Sequence, residues 1–137
     1  MNQIVANQRQ FFNTHATKNF NFRLKQLKKL EDVLKANEQA LYDAIYKDFK
    51  KSSFETFTSE LALVYHDIKD ARRHLKSWGK VKRVGTNFLN SPAKSYIIPE
   101  PLGVCLVIGA WNYPYQLTIA PVVAAIATGN TVVIKPS

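Results

Sequence analysis

Two short apolar runs flank a helix-length segment near the end of the chain, and little else in the sequence limits the fold as tightly. Val104–Ile108 is followed by a turn containing Gly109, Trp111, Asn112 and Pro114. A long apolar segment then ends at Gly129-Asn130, and the run Val132-Val133-Ile134 leads into Lys135-Pro136. β-Branched-rich runs on either side of a helical stretch predict a βαβ unit, whose strands run parallel and end at one edge of the sheet. Trp111 and Asn112 follow the first strand and Lys135 closes the second. Ligands of open α/β sheets bind outside such carboxyl ends. Asn112 thus offers amide donors, and Lys135 a cation with three donors, over one crevice. A structural turn asparagine and a solvent-reaching lysine account for the same pattern equally well.

The preceding residues read as helices that support this unit. Residues 4–15 suit a short helix, and the Asn- and Thr-rich stretch after it suits a turn. Leu24, Leu27, Leu30 and Leu34, then Leu41 and Ile45, give two helices over 21–35 and 38–49, with the Asn37 side chain expected to cap the second. Ser52 and Glu55 match a capping box. Phe54, Phe57, Leu61, Val64, Ile68, Ala71, Leu75 and Trp78 alternate by three and four, which predicts one long amphipathic helix over 54–78, ended by Gly79. This stripe is read as core rather than as a coiled-coil seam. Glu55 and Glu60 are assigned to caps and polar faces. Residues 80–91 read as a basic loop, and Tyr96, Ile97 and Ile98 as a short edge strand before Pro99.

The remaining features narrow the function classes. The formal charge is +9, from 19 Lys+Arg against 10 Asp+Glu. The basic residues are spread over helical polar faces with no aromatic-interleaved stripe, so a solvated surface is expected rather than a nucleic-acid partner. His66 and His74 lie eight residues apart, about 12 Å along a helix axis, too far to share a metal ion. Cys105, the single cysteine, sits in an apolar run and reads as a buried hydrophobe. No signal peptide opens the chain, and no apolar run reaches the roughly 20 residues of a membrane span. A cytoplasmic setting is expected. No Gly-x-Gly-x-x-Gly or Walker-type loop follows the first strand, so the usual phosphate cradle is missing. Paired parallel strands normally need neighbours on both sides, and the chain is therefore expected to be incomplete as it stands.

Pro101-Leu102-Gly103-Val104, Gly109-Ala110-Trp111-Asn112-Tyr113-Pro114, Ala127-Thr128-Gly129-Asn130 and Lys135-Pro136-Ser137 together resemble the aldehyde dehydrogenase superfamily. The similarity is to its class 3-like branch, which acts on fatty and aromatic aldehydes. The match extends over nearly the whole chain but only about the first third of such an enzyme. The resemblance implies an α/β fold in which N-terminal helices lead into the start of a Rossmann-like parallel sheet. Residues 1–80 would be the helical part of the cofactor-binding domain, 81–100 a loop and a strand that bridges subunits, and 101–137 the first βαβ unit.

It further implies oxidation of aldehydes to carboxylic acids through a thiohemiacetal, with NAD or NADP as cofactor, and a homodimer. Asn112 matches the asparagine that donates to the oxyanion, and Lys135 the lysine that bonds the cofactor's adenosine ribose. Ile108, Ala110 and Trp111 match the lining of the cofactor cleft, and Tyr113 a residue bordering the aldehyde pocket. The nucleophilic cysteine and general-base glutamate of the family lie beyond position 137, and Cys105 matches neither motif. This chain alone is therefore expected to be inactive. The alternative is a non-enzymatic helical interaction module or an inactive fragment.

Overall fold

The computed structural model describes residues 2–137. Helices α1 (Asn2–Asn13), α2 (Phe20–Ala36) and α3 (Glu38–Phe49) come first. A continuous helical rod follows, formed by α4 (Ser53–Thr56), a π-helical turn (Phe57–Leu61) and α5 (Ala62–Trp78). Strands β1 (Lys82–Val84) and β2 (Ser95–Ile97) form an antiparallel pair, and β3 (Val104–Ile108), α6 (Pro114–Thr128) and β4 (Thr131–Lys135) close the chain. β3 and β4 are parallel, with Val104 opposite Thr131 and Ile108 opposite Lys135. The expected βαβ unit is present, and both strands end at one edge. The architecture is the anticipated one: helices leading into the start of a parallel sheet.

Leu27 and Leu34 of α2, Val64, Ile68, Ala71 and Leu75 of α5, and Val123 and Ala127 of α6 make one buried cluster. Burying such side chains contributes about 1.5–3 kcal/mol each for the larger ones, so these three helices carry the core. α6 lies between that cluster and the sheet, which explains why its sequence is apolar on nearly every side. α1 packs against β3 and β4 as well. Leu106, Ile108 and Ile134 of the two strands remain exposed. Among the described residues no helix is long and apolar enough to cross a membrane.

Four expectations need correction. The stripe from Leu61 to Leu75 is core, but Phe54, Phe57 and Trp78 at its ends are exposed. At the N-terminal end the π turn is the reason: it takes one more residue per turn than an α-helix, so the inward positions there are Thr56 and Glu60 rather than Phe54 and Phe57. Trp78 is exposed in the last turn of α5. Asn37 does not cap α3 with its side chain; its Nδ2 donates 2.7 Å to the Val33 carbonyl and so closes α2 instead. β1 lies within the stretch expected to be a loop, because Lys82-Arg83-Val84 has one apolar residue and no alternation to betray it. Cys105 is half-buried rather than buried. Ser52 does act as an N-cap, with its Oγ accepting from the Glu55 amide at 3.1 Å.

The exit of α6 depends on one buried cation. Arg23 donates to the carbonyls of Thr17 (2.6 Å), Lys18 (3.1 Å) and Ala127 (3.3 Å). Burial pulls its guanidinium below its ordinary pKa, opposed by the nearby Glu100 carboxylate. Gly129 ends the helix in the left-handed region (φ 88°), and a Cβ there would overlap that guanidinium, so any side chain meets both strain and a clash. Asn130 ties the exit to β3: its Oδ1 accepts from the Gly103 amide at 2.8 Å and its Nδ2 donates to Thr128 at 2.7 Å. Arg23→Met would leave three carbonyls without their donor, and urea unfolding is expected to show a loss of about 3 kcal/mol. Arg23→Lys should recover only part of it, since a single ammonium lacks the guanidinium's fork.

Candidate functional site

The turn between β3 and α6 holds residues 109–113. Its start is fixed by the sheet: the Gly109 amide donates 2.9 Å to the Lys135 carbonyl, one step beyond the Ile108–Lys135 pair. Its end is fixed by Pro114, whose locked φ and absent N–H suit the first position of a helix. Tyr113, the residue before it, lies outside the helical region (φ −134°, ψ 71°), which the proline ring disfavours for its predecessor. The turn therefore leaves the sheet at one defined point and enters α6 at another. Asn112 and Trp111 are exposed between them, Trp111 at 72%.

Tyr113 gives α6 no side-chain cap. Glu60 supplies it from the π turn, 55 residues earlier: its Oε2 accepts from the Tyr115 amide at 2.8 Å and the Gln116 amide at 3.4 Å. The Glu60 side chain is 0% exposed, and its other oxygen meets Lys51 Nζ at 3.0 Å. Lys51, 12% exposed, also donates to the Asn112 carbonyl at 3.5 Å and lies 4.2 Å from the centre of the Tyr113 ring. A carboxylate buried with a cation and at a helix N-terminus is compensated from both sides. Tyr115 packs beside this group, donating its hydroxyl to the Leu41 carbonyl at 2.9 Å. Burial, with the Glu60 and Asp48 carboxylates adding to it, pushes its pKa up.

Glu60 thus does not sit on a polar face as expected. The π turn that aims it inward has no clear sequence mark, but one signal was available. Helix α6 begins after Tyr-Pro with no local Ser, Thr or Asp cap, so its first amides require an acceptor from elsewhere.

The residues singled out from sequence lie around two openings. Trp111 lines a cleft of about 420 Å³ with Pro114, Thr118, Pro136 and Ser137 at the carboxyl edge, walled by α3 residues such as Ile45 and Phe49. Ile108 and Lys135 line an apolar groove of about 600 Å³ on the sheet, with Ile4, Val5 and Arg9 of α1. Asn112, Ala110 and Tyr113 lie in the turn between β3 and α6. Ile108 is 66% exposed, and Lys135 makes no ion pair among the described residues. An unpaired ammonium at the end of a parallel strand fits the hydroxyl or phosphate oxygens of a nucleotide. Among the described residues there is no cluster of side chains suited to a metal ion.

The aldehyde dehydrogenase family model matches residues 1–137. The chain is 46% identical over 127 residues to the 4,4'-diaponeurosporen-aldehyde dehydrogenase of Staphylococcus aureus, a match covering 93% of this chain and 28% of that protein. It is 42% identical over 129 residues to aldehyde dehydrogenase family 3 member B1 of Rattus norvegicus, covering 94% and 28%. The substrate-bound structure of Staphylococcus aureus AldH superposes with a TM-score of 0.96 at 43% identity, over 99% of this chain and 30% of that one. The NADP complex of glyceraldehyde-3-phosphate dehydrogenase GapN from Methanocaldococcus jannaschii (TM-score 0.83, 19% identity, 99% and 28% covered) shares the fold. The chain spans about 28% of the length of these curated relatives.

The close approach of the turn to α6 can be tested directly. A Cβ at Gly109 would run into the Thr118 hydroxyl but only touch its Cβ, at 3.5 Å. Gly109→Ala is expected to cost roughly 1–3 kcal/mol in urea unfolding, and the Gly109→Ala/Thr118→Ala double variant should regain most of it.

Proposed function

This chain belongs to the aldehyde dehydrogenase family, and from that premise we propose that it forms the N-terminal portion of an NAD(P)+-dependent enzyme oxidising aldehydes to carboxylic acids. The observation that carries the reading is the β3–α6 turn, which presents Asn112 at the carboxyl edge where Ile108 and Lys135 are paired. The relatives named as aldehyde dehydrogenases share the segment, and a complex with NADP shares its fold.

In this reading the Asn112 amide donates to the oxygen that gains charge when a nucleophile adds to the aldehyde. Such a donor is worth most where water is excluded, because charge is then less screened. The Lys135 ammonium holds the adenosine ribose of the cofactor, and its charge also tolerates a 2′-phosphate. Ile108, Ala110 and Trp111 line the dinucleotide's path, while Tyr113 borders the aldehyde. NAD(P)+, when bound, supplies the hydride acceptor. The attacking thiolate and the base that activates water are not among residues 1–137: Cys105 lies within β3, half-buried against α1, away from the turn. The β1–β2 pair, with Tyr96, Ile97 and Ile98 exposed, suits an interface with a second subunit.

Asn112→Ala in the complete enzyme is expected to lower kcat about 10²–10³-fold, with cofactor affinity retained. The 137-residue chain by itself should show no NAD(P)+-dependent turnover of a medium-chain aldehyde; measurable reduction of NAD(P)+ by that chain would refute the division of labour.

A further inference from the structure

We propose that Glu60 and Lys51 act as a buried positioning pair for Asn112, setting where its amide stands at the sheet edge. This rests on the reading of Asn112 as the oxyanion donor. No direct bond reaches the Asn112 side chain from either residue; the control runs through the backbone on both sides of it.

Lys51 donates to the carbonyl of residue 112 itself and lies over the ring of residue 113. Glu60 holds the amides of residues 115 and 116, the first turn of the helix that Asn112 precedes. The two are joined to each other at 3.0 Å. The polar restraints on the backbone at the exit of the turn, other than the helix's own bonds, thus converge on one ion pair, with the Tyr115 hydroxyl bonded separately to the Leu41 carbonyl. Lys51 lies in the link between α3 and α4, and Glu60 in the π turn that follows α4. Lys50, at the end of α3, is left-handed (φ 59°) and turns the chain so that Lys51 enters the interior. The π turn sends Glu60 inward, two residues from positions 58 and 62 that are not buried.

This arrangement exceeds what capping requires. A local Ser or Asp would satisfy the first amides of α6 at the surface, without burying a charge. The buried pair instead makes the position of the turn depend on the π turn and on the exit of α3, the helix that also walls the cleft beside Trp111. An oxyanion donor gains its effect from preorganisation, and displacement by about 1 Å is enough to cost a hundredfold. A rigid, water-excluded anchor suits that demand.

The test uses the complete enzyme carrying Glu60→Gln or Lys51→Met, each alone and combined with Asn112→Ala. Each single variant is expected to lower kcat by about ten- to a hundredfold, with the KM for NAD(P)+ changed by no more than about twofold. Backbone amides of residues 112, 113, 115 and 116 should exchange with solvent at least about tenfold faster, while amides of the α2–α5 core stay protected. In the Asn112→Ala background neither substitution should lower kcat further by more than about twofold, because a residue acting through Asn112 has nothing left to position. Full additivity with Asn112→Ala, or unchanged kcat in both single variants, would overturn the proposal.

Lys51→Met leaves the Glu60–helix bonds in place and reads the effect if Glu60→Gln fails to fold. A wild-type enzyme without NAD(P)+-dependent turnover would defeat the dehydrogenase reading instead. The exchange measurement then decides the pair by itself: unchanged protection at 112, 113, 115 and 116 in Lys51→Met overturns it, and selective loss there upholds it.

Discussion

Helix α6 is held at each end by a buried charge opposite in sign to its own dipole. Glu60 meets the amides at its start, and Arg23 meets a carbonyl at its end. Both charges come from other helices, and both are satisfied several times over. A helix in the middle of the structure, apolar on almost every side, has few polar contacts of its own to fix its position along its axis. Hydrophobic packing resists separation from the core but resists sliding and rotation less well, since it has no directional preference. The two charged ends supply that direction. They also hold the turn at the sheet edge and the entry into β4 at the two ends of α6.

Residues of the shared motifs therefore divide into two kinds. Gly129 and Asn130 serve the architecture: one gives room to Arg23 in a left-handed turn, and the other bonds the start of β3. Gly109 likewise gives room to Thr118. Asn112, Trp111 and Lys135 have no comparable structural work for their side chains and face solvent at the carboxyl edge. The ligand contacts proposed for this chain fall on these exposed members of the motifs.

Periodicity identified what depends on local patterns of apolar residues. The βαβ unit, helices α2 and α3, and the α5 stripe were legible because each has at least three apolar residues at consistent spacing. Asn112 and Lys135 were legible as a pair because parallel strands must end together. Three features were not. β1 pairs with β2 through backbone bonds that its Lys-Arg-Val sequence does not announce. Asn37 has two helix ends within reach, and its side chain bonds the earlier one. Glu60 looked like one more charge on an amphipathic helix, because an α-helical wheel sets it at the border of the apolar stripe, where charged residues commonly reach solvent. Its burial depends on a change of helical pitch, and its partners are far away in sequence.

That change of pitch makes the rod between Ser53 and Trp78 one residue longer than regular α-helix would need. The surplus residue is taken up locally, so regular α-helix with one residue fewer would join Ser53 to Trp78 in nearly the same phase. Deleting any one residue of 57–59 would therefore let the rod relax into ordinary α-helix and leave α3 seated where it is. What would change is the backbone that aims Glu60 at the start of α6. The extra residue belongs to the carboxylate rather than to the rod.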